Sequence, residues 1–238
     1  MTLHVQEWGT GTRVAVLIHG LGNSRDSWWQ VGPALADHGY RVLAVDLPGH
    51  GSSAPLDHYS SEVLAASVVT SVPHRPALAI GHSLGGLVLA HAVAQLQPEV
   101  AVYEDPAFSP SPDPRVAERF RAQKSWTIAD LEREHPRWNE RSLRNKLDAL
   151  AAWDPTIVDD FGSFSAAPVD TAAVPSVLVL ADPSHLVPPA HADDLAGRGF
   201  GIEVVPGSGH VIHLDDHAGF LDALARRGIV ATGAPTRT

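Results

Sequence analysis

Residues 81–86 read Gly-His-Ser-Leu-Gly-Gly, and they stand between a predicted buried strand at 77–80 and a predicted apolar helix at 84–97. The stretch contains the G-x-S-x-G pattern, in which a serine on a tight strand-to-helix turn presents its hydroxyl. Small residues are needed at both glycine positions because larger side chains would collide with adjoining strands. The first turn of the helix adds backbone N–H donors and a positive dipole end, which favour a developing oxyanion. The stretch therefore predicts Ser83 as an attacking nucleophile.

Strand and helix signals alternate along the chain on both sides of this turn. The predicted strands are residues 3–8, 13–19, 40–46, 77–80, 100–104, 176–181 and 201–205. The predicted helices are residues 27–38, 61–71, 84–97, 190–196 and 217–226. Such alternation requires right-handed crossovers, and it predicts an α/β fold with a mostly parallel central sheet flanked by helices.

Residues 105–170 interrupt the alternation. They are rich in Pro, Arg, Glu and Trp, and they show helical patterns at 116–123, 128–134 and 140–153 without a strand signal. We therefore predict a core formed by residues 1–104 and 171–230. A helical cap insertion at 105–170 would lie over the carboxyl end of the sheet, and residues 231–238 would form a loose tail.

The cap insertion carries three tryptophans, Trp126, Trp138 and Trp153. Most aromatic side chains of the cap are expected only to pack it against the sheet. One or two that face a cleft would line an apolar pocket, so the three tryptophans are candidate substrate-binding residues.

Four motifs follow one another in a distinctive order. They are His19-Gly20 after a buried strand, Asp-Leu-Pro-Gly-His-Gly at 46–51 after the next strand, the turn at 81–86, and Gly-Ser-Gly-His at 207–210. In this combination the chain resembles the α/β-hydrolase superfamily, and more closely its serine esterases and lactonases. The resemblance covers nearly the whole chain.

The resemblance implies roles for four residues. His210 would be the general base that takes the proton of Ser83. The backbone N–H groups of Leu21 and Leu84 would form the oxyanion hole. His213 is the nearest competing histidine, and a surface role suits it better.

The triad acid is where the sequence departs from the commonest pattern of the superfamily. Most relatives place an Asp three residues before a Val-Pro step, but Ser184 occupies that position here. Asp105 follows the strand at 100–104, where haloalkane dehalogenases and zearalenone-type lactonases look similar and place their acid. Asp182 follows the strand at 176–181. We favour Asp105 slightly over Asp182, with Glu104 third, and both aspartates stay open.

Three functions are consistent with these motifs. The first is hydrolysis of a carboxylic ester or lactone, with a small apolar substrate and an acyl-serine intermediate. The second is hydrolysis of a carbon–carbon bond on the same triad. The third is a ligand receptor built on a hydrolase fold, although a receptor has no need of nucleophile, base and oxyanion motif together. A serine nucleophile argues against dehalogenase and epoxide-hydrolase chemistry, which needs a carboxylate.

Composition excludes other classes of function. The net charge of −10 disfavours binding to nucleic acid and to anionic membranes. With no cysteine, the chain has no thiolate nucleophile or thiolate metal site. No metal or organic cofactor is implied. No signal peptide or long apolar run is visible, so we expect a cytoplasmic protein without a membrane span.

Overall fold

Seven strands form one twisted sheet in the computed structural model, which describes residues 2–231. They are β1 (Val5–Trp8), β2 (Arg13–Ile18), β3 (Tyr40–Val45), β4 (Leu78–His82), β5 (Val100–Glu104), β6 (Ser176–Leu180) and β7 (Gly201–Val204). Their order across the sheet is β1-β3-β2-β4-β5-β6-β7. Only β1 runs antiparallel to its neighbour within this sheet of residues 2–231. The predicted mostly parallel sheet is thus confirmed.

Helices cover both faces of the sheet. The longer ones are α1 (Val31–Asp37), α2 (Ser61–Ser71), α3 (Leu84–Leu96), α4 (Pro114–Ala122), α5 (Ile128–Glu134), α6 (Glu140–Ala152), α7 (Pro189–Gly197) and α9 (His217–Arg226), and a short α8 spans Ile212–Asp215. One apolar cluster joins α2 and α3 to the sheet, and a second joins α1 and α9 to the opposite face. This two-sided cover explains why strands such as β4 are buried along their whole length and mostly apolar.

The helix predicted at 27–38 is divided in two. A 3₁₀ turn spans Arg25–Trp28, and α1 begins only at Val31. Ser24 starts the 3₁₀ turn because its hydroxyl accepts a hydrogen bond from the backbone N–H of Asp26. Trp28 is fully buried at this turn.

The cap insertion lies between β5 and β6 and contains α4, α5, α6 and a 3₁₀ segment at Pro155–Ser163. Local sequence starts each helix, since Asp113, Thr127 and Asn139 all accept hydrogen bonds from the first turn that follows. Helix α6 is tied to the loop after β2. Trp29 Nε1 donates to Ser142 Oγ at 3.1 Å, and Asn145 Nδ2 donates to the carbonyl oxygen of Asp26 at 2.9 Å.

The tail predicted at 231–238 lies outside the described residues except for residue 231. Within residues 2–231, no helix has the length and hydropathy required to cross a membrane.

Candidate active site

Ser83 lies on the turn between β4 and α3, with a backbone φ of +52°. The adjoining glycines have no room for a side chain. A Cβ at Gly85 would overlap the carbonyl oxygen of Ile18, and one at Gly81 would overlap the carbonyl oxygen of Gly85. A positive φ is costly for serine, so the surrounding packing must hold the residue in place. The turn therefore presents Ser83 in the strained conformation that G-x-S-x-G predicts.

His210 lies on the loop after β7, and its ring is bound to Asp105. The Nδ1 atom of His210 is 2.6 Å from Oδ2 of Asp105. The carboxylate side chain is 2% exposed, whereas the imidazole is 44% exposed. A carboxylate on Nδ1 leaves Nε2 as the ring nitrogen available to take a proton. Among residues 2–231, no hydrogen bond joins the ring to Ser83 Oγ, and catalytic contacts are often long without substrate.

Asp105 directly follows β5 and has a backbone φ of +37°. Its N–H donates to the carbonyl oxygen of Val179 at 2.9 Å, which fixes the strained residue to β6. Ser83 and Asp105 are thus two non-glycine residues with left-handed backbones at the same end of neighbouring strands. Strain of this kind is concentrated at functional sites.

Within residues 2–231, the His210 ring is hydrogen-bonded to Asp105 and not to Asp182. The side chain of Asp182 is exposed, and its Oδ2 accepts a hydrogen bond from the N–H of Gly207 at 3.2 Å. Asp182 therefore holds the start of the loop that leads to His210, while Asp105 holds the ring itself. Ser184, at the commoner acid position of the superfamily, accepts a hydrogen bond from the N–H of Val187 at 2.9 Å.

His213 is fully buried, so the surface role predicted for it is wrong. Its Nδ1 lies 2.8 Å from both carboxylate oxygens of Glu104, and its backbone N–H donates to Oε1 at 2.9 Å. Its ring stacks on Trp28 with a centroid distance of 4.1 Å. Glu104, the third candidate for the acid, is thus engaged away from His210. This second pair fixes α8, and with it the loop of His210, to the end of β5.

The predicted oxyanion donors both have free backbone N–H groups. Among residues 2–231, none accepts a hydrogen bond from the N–H of Leu21 or Leu84. Leu84 is the first residue of α3, where the N–H groups have no partner within the helix. Both side chains are buried, so only the backbone is offered to a substrate.

Two histidines hold the loop that carries Leu21. His19 Nε2 accepts from the N–H of Leu47 at 3.0 Å, and His50 Nε2 accepts from the N–H of Gly22 at 3.2 Å. Burial, above all, lowers the pKa of His19 and lowers that of His50 to about 3. Both rings therefore stay neutral, as acceptors of these hydrogen bonds must.

The three cap tryptophans differ in position. Trp153 is fully buried and stacks on His50, with ring centroids 6.1 Å apart. Trp138 is buried, stacks on His135 and donates from Nε1 to Asp215 Oδ1 at 2.8 Å. Trp126 is partly exposed and packs on the apolar core. These contacts join the cap to the core, and substrate binding by the three stays a prediction.

The cap also contains a cleft of about 870 Å³. Its wall is formed by α5, α6 and the segment between them, and includes His135 and Trp138 but neither Ser83 nor His210. Burial, aided by the charges of Lys146 and His210, lowers the pKa of His135 to about 4. Within residues 2–231, no group of three or more acidic, His or Cys side chains is placed to bind a metal ion.

Sequence reasoning missed Lys146, a buried lysine on α6. Its Nζ donates to the carbonyl oxygen of Gly22 at 2.9 Å, next to Leu21. Burial lowers the pKa of Lys146 to about 7. A signal was present in the sequence, since Leu143, Lys146 and Leu150 have the i, i+3, i+7 spacing of one buried helix face.

Comparison with known proteins gives a hydrolase family and relatives that are named as hydrolases. A model of the alpha/beta hydrolase family matches residues 15–223. Pimeloyl-[acyl-carrier protein] methyl ester esterase of Vibrio cholerae is 39% identical over 126 residues, which cover 53% of this chain and 45% of that protein. Bifunctional epoxide hydrolase 2 of Sus scrofa is 38% identical over 156 residues, covering 61% and 28%. The chain therefore spans about half or less of the length of these relatives.

Solved structures share the fold over nearly the whole chain. N-formylmaleamic acid deformylase of Pseudomonas putida S16 superposes with a TM-score of 0.77 at 22% identity, covering 93% of this chain and 95% of that one. An esterase of Exiguobacterium antarcticum gives a TM-score of 0.75 at 15% identity, covering 94% of each chain. At these identities the likeness concerns the fold alone, a mostly parallel sheet with flanking helices.

Proposed function

The chain belongs to the alpha/beta hydrolase family, and we propose that it is a serine hydrolase that cleaves a carboxylic ester or lactone through an acyl-serine intermediate. One observation carries this proposal. The Asp105–His210 pair, the strained Ser83 and the free N–H groups of Leu21 and Leu84 all belong to the loops that follow β2, β4, β5 and β7. The carboxyl ends of parallel strands meet at one edge of a sheet, where such enzymes bind substrate.

In the acylation step, Ser83 Oγ attacks the carbonyl carbon of the ester, and His210 Nε2 takes the hydroxyl proton. The carbonyl oxygen becomes an oxyanion, which accepts hydrogen bonds from the N–H groups of Leu21 and Leu84. Asp105 stabilises the imidazolium through Nδ1–H. The tetrahedral intermediate collapses when His210 returns the proton to the leaving alcohol.

In the deacylation step, water replaces the alcohol. His210 takes a proton from this water as it attacks the acyl-serine ester, and the same oxyanion donors act again. His210 then protonates Ser83 Oγ as the acid product leaves. A lactone follows the same two steps, except that the leaving alcohol stays attached to the acyl group until deacylation.

Ester chemistry fits the nucleophile better than epoxide opening does, although an epoxide hydrolase is among the matched relatives. A serine that opened an epoxide would form a stable ether, which water cannot hydrolyse as it hydrolyses an ester. The methyl ester esterase named among the relatives supports a carboxylic ester substrate.

The test is covalent labelling with a fluorophosphonate, followed by peptide mapping and by assays on 4-nitrophenyl esters and lactones. We expect the label on Ser83 and turnover of at least one ester class. Ser83→Ala should lose the label and at least about 10³-fold in kcat while keeping the melting temperature. Near-normal turnover by this variant on the best substrate would refute the proposal.

A further inference from the structure

Lys146 is buried in the cap close to the candidate active site. The residue is 8% exposed, although lysine is rarely buried without a paired acid. Its ammonium group has three N–H donors, and one of them donates to the carbonyl oxygen of Gly22 at 2.9 Å. A neutral amine would donate this hydrogen bond equally well, so the bond by itself does not require a positive charge.

In the described part of the chain, residues 2–231, no acidic side chain forms an ion pair with Lys146. Among residues 2–231, no carboxylate oxygen lies within 4.0 Å of its Nζ. Burial alone lowers its pKa to about 7, with no opposing acidic neighbour. Its charge is one of the causes that lower the pKa values of four imidazoles, those of His19, His50, His82 and His135. An uncompensated buried cation is costly, so an external anion would relieve the cost.

The ammonium is bound to the same loop that borders the nucleophile. Gly20 borders Ser83, because a Cβ at Gly20 would lie 3.1 Å from the Ser83 Cβ. Gly22, which binds the ammonium, is two residues further on, at most ~7 Å along the chain. Leu21, between them, carries a proposed oxyanion donor. A substrate whose carbonyl lies at Ser83 could therefore extend a short arm to Lys146.

We propose that Lys146 is a specificity-determining residue that binds a carboxylate carried by the substrate, a few carbons from the scissile ester. This inference rests on the proposed function and narrows its substrate class to monoesters of short dicarboxylic acids and similar hydroxy or keto acid esters. A carboxylate fits better than a phosphate because the site offers one positive charge among neutral imidazoles. A dianion would leave one negative charge unpaired.

The experiment compares two substrates of equal chain length, mono-4-nitrophenyl glutarate and 4-nitrophenyl pentanoate. They differ in a terminal carboxylate in place of a methyl group. The enzymes are the wild type, Lys146→Met, which keeps the length but removes the charge, and Lys124→Met. Lys124, the other of the chain's two lysines, is an exposed cap residue and gives the matched control for a lost cap charge.

We expect Lys146→Met to lower kcat/KM about 10- to 100-fold more for the glutarate monoester than for the pentanoate ester. Lys124→Met should change the ratio less than about twofold. An equal loss on both substrates would overturn the proposal, because the amine would then only support Gly22 and its loop. A wild type that prefers the pentanoate ester would also overturn it.

Failure of the proposed function is recognised separately. If the wild type turns over neither ester and Ser83 takes no fluorophosphonate label, hydrolysis itself is refuted. Binding of monomethyl glutarate, measured by calorimetry, then still tests Lys146. If monomethyl glutarate binds the wild type at least tenfold more tightly than it binds Lys146→Met, the anion site is supported. Equal affinity for the two proteins, or no binding to either, overturns it.

Discussion

Replacing Asp105 by Asn keeps the size of the side chain but removes the negative charge that lies 2.6 Å from His210 Nδ1. When the ring is protonated in the transition state, the two charge centres are roughly 4 Å apart. At an effective dielectric constant of about 20, their attraction is worth ~4 kcal/mol, or a factor of about 10³ in rate. Water at the half-exposed ring weakens this attraction, whereas the wrong ring tautomer held by the amide adds to the loss. We expect kcat to fall about 10³-fold.

The assay measures kcat and kcat/KM on the best ester, together with the rate of fluorophosphonate labelling of Ser83. Asp182→Asn is the matched control, because it makes the same chemical change at the end of the neighbouring strand. Its carboxylate is exposed and accepts a hydrogen bond from the N–H of Gly207, so kcat should change less than about fivefold. Thermal melts of both variants should lie near that of the wild type.

A larger loss of kcat in Asp182→Asn than in Asp105→Asn would refute the assignment of Asp105 and would place the acid at the end of β6. Small losses in both variants would instead show that His210 works without a carboxylate partner. Loss of the folded state in Asp105→Asn would be seen in the melt. The labelling rate of the remaining folded fraction would then show whether Asp105 is the acid.

Three further predictions concern other buried groups. Glu104→Gln should lower the free energy of unfolding by about 3 kcal/mol in urea denaturation, because it breaks a fully buried pair with His213; an unchanged stability would contradict the role of this pair in fixing α8 to β5. Lys146→Met should be more stable than the wild type near pH 6, where burial of the charged amine destabilises the folded state. Its folded pKa of about 7 lies below the ordinary lysine value of 10.5, so the wild type gains stability as the pH rises. The difference between the two proteins should shrink by roughly 2–3 kcal/mol from pH 7 to pH 9, and a constant difference would refute the burial argument. Trp153→Ala should cost about 3–5 kcal/mol in unfolding free energy, whereas Trp126→Ala, at a partly exposed site, should cost clearly less; equal costs would contradict these positions.

The fold could be predicted from the sequence because its signals are local. The turn at 81–86, the apolar strands and the breaks between elements each depend on a few neighbouring residues. The partner of His210 could not be settled in this way. Asp105 and Asp182 both follow buried strands, and only the left-handed backbone of Asp105 turns its carboxylate to the ring.

The burial of His213 was missed for a related reason. Helix α8 is a single turn, too short to give a periodic pattern, and it is the packing on Trp28 and Glu104 that makes the position interior. Lys146 is a different case. Its place on the apolar face of α6 is visible in the spacing of the leucines, but only the structure shows which backbone group lies opposite it.

The attachment of α6 to the loop after β2 has a consequence for making chimaeras of related hydrolases. Trp29, Asn145 and Lys146 take part in hydrogen bonds across a junction whose two sides are more than a hundred residues apart in sequence. A foreign cap grafted at 105–170 would lose these partners and leave the loop of Leu21 without its usual support. Chimaeras should therefore exchange residues 22–29 together with the cap.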